Sequence, residues 1–154
     1  MKAKVIALGN ILMEDDGIGI RILENIKEEL THNNVESISG ETDVEYCISQ
    51  VKDGDFIFII DASYNGKVPG TITVASLQDY KCKKKYYTQH SYSFIDLIGV
   101  YYKSLTGFII EIEAASISFK LGLSHNLQNK LKSISKDVLK NIFLRLNDRA
   151  WEEK

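Results

Sequence analysis

The sequence is poor in the residues that staple, break or insert a chain. Of its 154 residues, 2 are cysteine and 1 is proline. Cys47 and Cys82 stand far apart and form no C-x-x-C pair. That argues against a disulfide framework or a zinc ribbon, and free thiols in a reducing cytoplasm are the expectation. With so little proline and no Ser- or Gly-rich stretch there is no linker, so one domain over residues 1–154 is expected. A chain of this length buries about two-thirds of its unfolded surface and needs no staple. No apolar run approaches the ~18 residues of a spanning helix. "MKAKVIALGN" is broken too soon for a secretory signal. Net charge is −2, so no broad positive field draws the chain to nucleic acid or a membrane surface. The run "KCKKKYY" at 81–87 reads as a solvated loop.

What is present is an alternation of strand and helix patterns. Lys4–Leu8 is a short apolar run, expected to be a buried strand. From Gly17 onward Ile18, Ile22, Ile26 and Leu30 recur every fourth residue, one face of a helix. Val35–Ile38 reads as a second strand, and Thr42 with Glu45 fits a capping box opening a second helix through about Val51. "FIFII" at 56–60 is apolar on both faces, as a central parallel strand is, and is expected to end at Asp61. After the Pro69-Gly70 turn, Thr71–Leu77 alternates like a strand with one wet face. Phe94, Ile98, Tyr101 and Leu105 mark a third helix, and Phe108–Ala114 a strand with alternating acids. Leu127, Leu131, Ile134, Val138 and Ile142 trace a last amphipathic helix, its tail from Arg149 expected to fray and to be dispensable. This order predicts an α/β domain with a mostly parallel sheet between helices. Ligands of such sheets bind beyond the carboxyl ends of the strands, here the loops Gly9–Gly17 and Asp61–Asn65.

The first loop carries Glu14, Asp15 and Asp16 where a phosphate-binding loop would need an open, positive helix end. Gly17-x-Gly19 lacks the third glycine of a dinucleotide fingerprint, and no P-loop motif exists. One acid at such a turn is explained by helix capping; three in a row exceed what a cap needs. With Asp61 on a neighbouring strand end, two carboxylates can share a proton as an acid–base pair or hold a divalent ion. Among the histidines, His32 lies in a polar turn and His125 just before the last helix, while His90 precedes the third helix in "TQHSYSF". Ser91 and Ser93 fit helix capping, and no H-E-x-x-H, G-x-S-x-G or Cys–His signature appears.

"GNILMEDDGIGIRI" resembles the N-terminal signature of the [NiFe]-hydrogenase maturation endopeptidases. The likeness continues through Gly40-Glu41-Thr42, "FIIDAS", Pro69-Gly70-Thr71, His90 before a helix, and "LGLS" at 121–124. The resemblance implies a three-layer α/β/α hydrolase-like fold with a five-stranded mixed sheet, "TITVASL" supplying its antiparallel strand. It implies a cation site of Asp16, Asp61 and His90, with Asp16 and Asp61 as catalytic carboxylates of an aspartic-type endopeptidase. Gly40, Glu41 and Thr42 would contact substrate, and Glu14 and Asp15 would shape the loop without binding first. The activity implied is removal of a C-terminal extension from a hydrogenase large-subunit precursor, by a cytoplasmic monomer. The nickel is carried by that precursor, and zinc or a similar cation is able to take its place in vitro. Two departures stand near the cleft: Glu41 where a small residue is common, and His125 where proline is common. The alternatives are a peptidase of the same fold with another protein substrate, and a non-catalytic metal- or precursor-binding chaperone.

Overall fold

A computed structural model describes residues 2–82 and 89–152, without the side chains of 81–93 and 150–152. The elements run β1 (Ala3–Leu8), a 3-10 turn (Glu14–Gly17), α1 (Ile18–His32), β2 (Glu36–Glu41), α2 (Val44–Ser49) and β3 (Phe56–Ser63). They continue with β4 (Ile72–Ser76), α3 (Leu77–Cys82), α4 (Gln89–Tyr101), β5 (Thr106–Glu113) and α5 (His125–Glu152). The five strands form one sheet in the order β2-β1-β3-β5-β4. All pair in parallel except β4, which runs antiparallel to β5. The strand–helix alternation predicts the mostly parallel sheet, and the family resemblance implies its five strands with one antiparallel member.

Both faces of the sheet are covered. On one, Val5, Ala7, Phe58, Ile60, Ile110 and Ile112 pack under α1 and α5. The four-residue stripe of α1 supplies Ile18, Ile22, Ile26 and Leu30 to this core, and α5 supplies Leu127, Ile134, Val138 and Ile142. On the other, Ile6, Leu8, Ile57, Ile59 and Ile109 meet Cys47, Phe94, Ile95 and Ile98. β3 is buried along its whole length, which is why "FIFII" lacks a polar alternate.

Several boundaries differ from expectation. β3 does not stop at Asp61; its ladder with β5 continues through Asp61↔Glu111 to Ser63↔Glu113, so Asp61 lies inside the strand. α2 is capped by Asp43, whose carboxylate accepts the Tyr46 amide at 2.9 Å, and not by Thr42. Asp43 sits one residue nearer the first turn and its carboxylate is the stronger acceptor. α3 forms across Leu77–Cys82, so the start of the lysine-rich run is helical; residues 83–88 lie outside the described residues. His90 falls within the first turn of α4, not before it. The tail of α5 stays helical through Glu152. Arg145 lies over the Phe108 ring at 5.0 Å and Arg149 over Phe56 at 4.5 Å, so the tail packs on the sheet and is not a frayed end.

The amino edge of the sheet is closed by a buried ion pair. Lys4 Nζ lies 2.8 Å from Asp55 Oδ2, both side chains nearly fully buried, and also donates to the Gln50 carbonyl. The Lys2 and Lys52 amides donate to the same carboxylate at 3.2 and 2.9 Å. Burial pushes the Asp55 carboxyl up, but the hydrogen bonds from Lys4, Lys52 and Lys2 outweigh it and hold the group below the usual range.

Candidate active site at the carboxyl edge

Adjacent parallel strands set the site. Ala7 of β1 is in register with Ile60 of β3, so Leu8 and Asp61 are level, and the loop after β1 begins one residue later. Gly9 starts that loop at φ +134°, where a side chain is strained; a Cβ there would fall 2.0 Å from the Asp16 carbonyl oxygen. The loop therefore folds back hard on the strand end. Asn10 then donates its amide to Asp16 Oδ2 at 2.7 Å, and its own side chain accepts the Leu12 amide at 2.9 Å. Asp16 is half-buried at the surface of this turn.

Asp61 is fully buried, with Oδ1 accepting the Ala62 amide at 2.8 Å. The expectation that it would stand at an exposed loop end is corrected: it belongs to the strand. Strand alternation puts it on the face of Ile57 and Ile59, which α4 covers. α4 ends toward the amino edge, where the Tyr102 hydroxyl donates to the Ile48 carbonyl and Ser104 binds Asp53. At 13 residues it is about 20 Å long, so its first turn, with His90, lies back toward the carboxyl edge. The fold thus brings the backbone of all three predicted positions to one edge. The His90 side chain is outside the described residues, and among the described residues no three His, Cys, Asp or Glu side chains group to hold a metal.

The three acids of the opening loop divide their work. Asp15 is fully buried, and Oδ2 accepts the Ala115 and Ser116 amides at 2.9 and 3.0 Å and the Ser124 hydroxyl at 2.7 Å. Its Oδ1 accepts the Ser124 amide at 2.7 Å. Glu14 adopts φ +52°, an uncommon conformation for a residue with a side chain, and its Oε2 accepts the Ser116 and Ser118 hydroxyls at 2.7 Å each. Those hydroxyls hold its carboxyl below the usual range. The Glu14 amide donates to Lys120, and Lys120 donates back to Leu12. Glu14 and Asp15 are therefore latches between the β1–α1 loop and the segment after β5.

The Gly40–Thr42 stretch, expected to contact substrate, covers the end of β2 and the residue that follows it. Gly40 is buried, and a Cβ there would meet Cys47 Sγ at 2.3 Å, so this glycine admits the sulfur. It is the extra residue where the β1–β2 register slips between Ala7↔Ser39 and Leu8↔Glu41. Glu41 follows at φ +50°, exposed, with its carbonyl accepting the Gly9 amide at 2.9 Å; Thr42 is also exposed. Glycine alone would relieve that conformation, since the penalty comes from Cβ. Burial pushes the Cys47 thiol up to about 11, so it is no nucleophile at neutral pH.

One further carboxylate at this edge carries no sign of its role in the strand pattern. Glu113 sits in an alternating strand and looks wet, yet it is buried and accepts the Asn65 amide at 2.5 and 2.8 Å, fixing the loop after β3. The signal available was the "YNGK" turn, whose amides require an acceptor.

A family model described as "Hydrogenase maturation protease" matches residues 20–141, which takes in Asp61 and His90 and begins just past Asp16. The chain belongs to the hydrogenase maturation protease family. A similar relative is the "Hydrogenase expression/formation protein HupD" of Thiocapsa roseopersicina, 32% identical over 69 residues, 44% of this chain and 31% of that protein. Another is the "Hydrogenase 2 maturation protease" of Escherichia coli, 32% identical over 76 residues, 48% of this chain and 46% of that one. The chain thus spans less than half the length of these curated relatives. The fold is that of hydrogenase maturating endopeptidase HybD from E. coli, with TM-score 0.78 and 20% identity over 94% of each chain. It is also that of the [NiFe] hydrogenase maturation protease HybD from Thermococcus kodakarensis, with TM-score 0.73 and 24% identity over 92% of this chain and 99% of that one.

Proposed function

We propose that this member of the hydrogenase maturation proteases is an endopeptidase that removes a C-terminal extension from the nickel-loaded large-subunit precursor of a [NiFe] hydrogenase. The observation that carries the reading is that the β1–α1 loop with Asp16 and the strand with Asp61 share the carboxyl edge of adjacent parallel strands, toward which α4 begins, in a chain of this family. Two carboxylates and an imidazole are a donor set suited to nickel, zinc or a similar borderline cation with positions left for another ligand. In this reading the nickel arrives as cargo of the precursor, and Asp16, Asp61 and His90 sense it. When bound, such an ion supplies Lewis-acid polarisation of a carbonyl or water. The protein's own part is to orient: Asn10 holds Asp16, and the Ala62 amide holds Asp61.

The cleavage is a hydrolysis. Water adds to the scissile carbonyl, a carboxylate takes its proton, and the departing amine receives one. The described residues supply no activated thiol, since Cys47 is buried and its pKa raised, which favours the carboxylates for this work. A monomer acting in the cytoplasm is part of the same proposal; among the described residues no helix is long and apolar enough to cross a membrane.

The test is a gel or mass assay on the cognate precursor with and without nickel. The reading expects a single shortening near the C-terminus of the loaded precursor only. Equal cleavage of nickel-free precursor would remove the sensing role of the ion. Tight one-to-one binding with no cleavage would replace the peptidase with a chaperone.

A further inference from the structure

The segment after β5 leaves an apolar strip uncovered. From Ser116 it reads "SISFKL", polar and large apolar residues in alternation, along a segment that forms no strand and bends at Phe119. The Ser116 and Ser118 hydroxyls turn inward onto Glu14. The residues between and beyond them turn outward: Ile117 is 40% exposed, Phe119 85% and Leu121 67%, with Leu12 alongside at 48%. Leu12 belongs to the strip because its carbonyl accepts the Lys120 amide, and Met13 bridges Lys120 in parallel. A phenyl ring and three aliphatic side chains left this open form a patch of the kind that marks an interaction site.

We propose that Ile117, Phe119 and Leu121, with Leu12, are a docking strip for an extended, apolar segment of the precursor polypeptide beside its scissile bond. The inference rests on the peptidase reading and names the surface that holds its substrate. Three observations choose this occupant. The Ser116 and Ser118 hydroxyls both bind Glu14, which leaves Ile117 and Phe119 open to a polypeptide laid along the segment. It is continuous with the candidate site, because Glu14 and Asp15 latch this segment to the loop that carries Asp16. A few apolar side chains cover on the order of a few hundred Å², well short of the ~800 Å² per partner of a stable dimer, which disfavours a second copy of the chain. Charge adds direction: the adjoining edge carries Asp16, Glu41 and Asp61, so the end of the segment that reaches the site is cationic or carries a cation.

The experiment uses the full chain with Asp61→Asn to slow turnover, and the nickel-loaded cognate precursor as probe, followed by isothermal titration. Phe119→Ser in that background is expected to weaken binding by about tenfold or more, as loss of a central aromatic anchor does. Val100→Ser, at an equally open site on α4, is expected to leave it unchanged. In the otherwise native chain Phe119→Ser should raise KM and leave kcat within about twofold, since it removes binding without touching the reacting groups. A thermal melt checks folding, and Leu121→Ser repeats the test if Phe119→Ser melts early. Unchanged affinity in both variants overturns the docking strip, as does a wild-type chain that binds no precursor. Self-association in sedimentation that Phe119→Ser abolishes also overturns it and assigns the strip to a second copy. Precursor binding that depends on Phe119 without any cleavage leaves the strip standing and removes the peptidase reading instead.

Discussion

The two ends of the sheet treat buried charge in opposite ways. At the amino edge Asp55 is matched by Lys4 and by the Lys2 and Lys52 amides, so charge is neutralised where it is buried. At the carboxyl edge Asp15, Asp61 and Glu113 are buried, with Glu14 nearly so, and Asp16 and Glu41 lie close by. Much of what holds those acids is backbone amide and serine hydroxyl: four bonds on Asp15 and two on Glu14. Positive φ at Glu14 and Glu41 is found at the same end. The proposed function gives that concentration of acids a use, since a cation carried by the precursor would be received there.

The comparison breaks first at Asp15. Asp15→Ala strips the acceptor from the Ala115, Ser116 and Ser124 amides and should cost about 3–5 kcal/mol in urea denaturation, at 1–3 kcal/mol for each buried group left unpaired. A loss under about 1 kcal/mol would mean that water replaces the carboxylate and the latch is not structural.

Lys4→Met tests the other end. It leaves Asp55 buried with its amide donors alone and should cost about 3 kcal/mol, the low end for breaking a buried pair. The pH dependence sharpens this. Asp55 titrates below its unfolded value in the folded chain. Its contribution is therefore complete above the unfolded pKa of about 4 and is lost as pH falls through the folded value. Wild-type stability should fall more steeply below pH ~4 than that of Lys4→Met. Parallel curves would remove the ion pair from the account.

A smaller effect separates Asp16 from its neighbour. Titration with nickel or zinc should show Asp16→Asn weaker by about tenfold or more and Glu14→Gln nearly unchanged, because the Glu14 carboxylate is already held by Ser116 and Ser118. Equal losses would place Glu14 on the ion.

The periodic parts of this fold were legible. Ile18, Ile22, Ile26 and Leu30 state the buried face of α1, and "FIFII" states a strand covered on both sides. The acids after a glycine turn, with Asp61 on the strand paired to β1, pointed to the carboxyl edge proposed as the site. What stayed hidden depends on partners distant in sequence. Asp61 looked like the end of its strand because a carboxylate after five apolar residues reads as a stop; the ladder with Glu111 and Glu113 carries the strand past it. Arg149 looked like a frayed end because Phe56 lies far from it in the chain. Glu113 looked solvated because alternation signals a wet face and is silent about a loop folding over it. Lys4 and Asp55, 51 positions apart, carry no local sign of their pairing.

The most direct test of the central claim, that the carboxyl edge works and the amino edge holds, is single-turnover processing of nickel-loaded precursor, measured per folded molecule. Asp61→Asn should slow shortening of the precursor by about a hundredfold or more, the range for loss of an acid–base group, while Lys4→Met stays within about twofold of wild type. Processing by Asp61→Asn at the wild-type rate, or an equal loss in Lys4→Met at matched folded fraction, would contradict it.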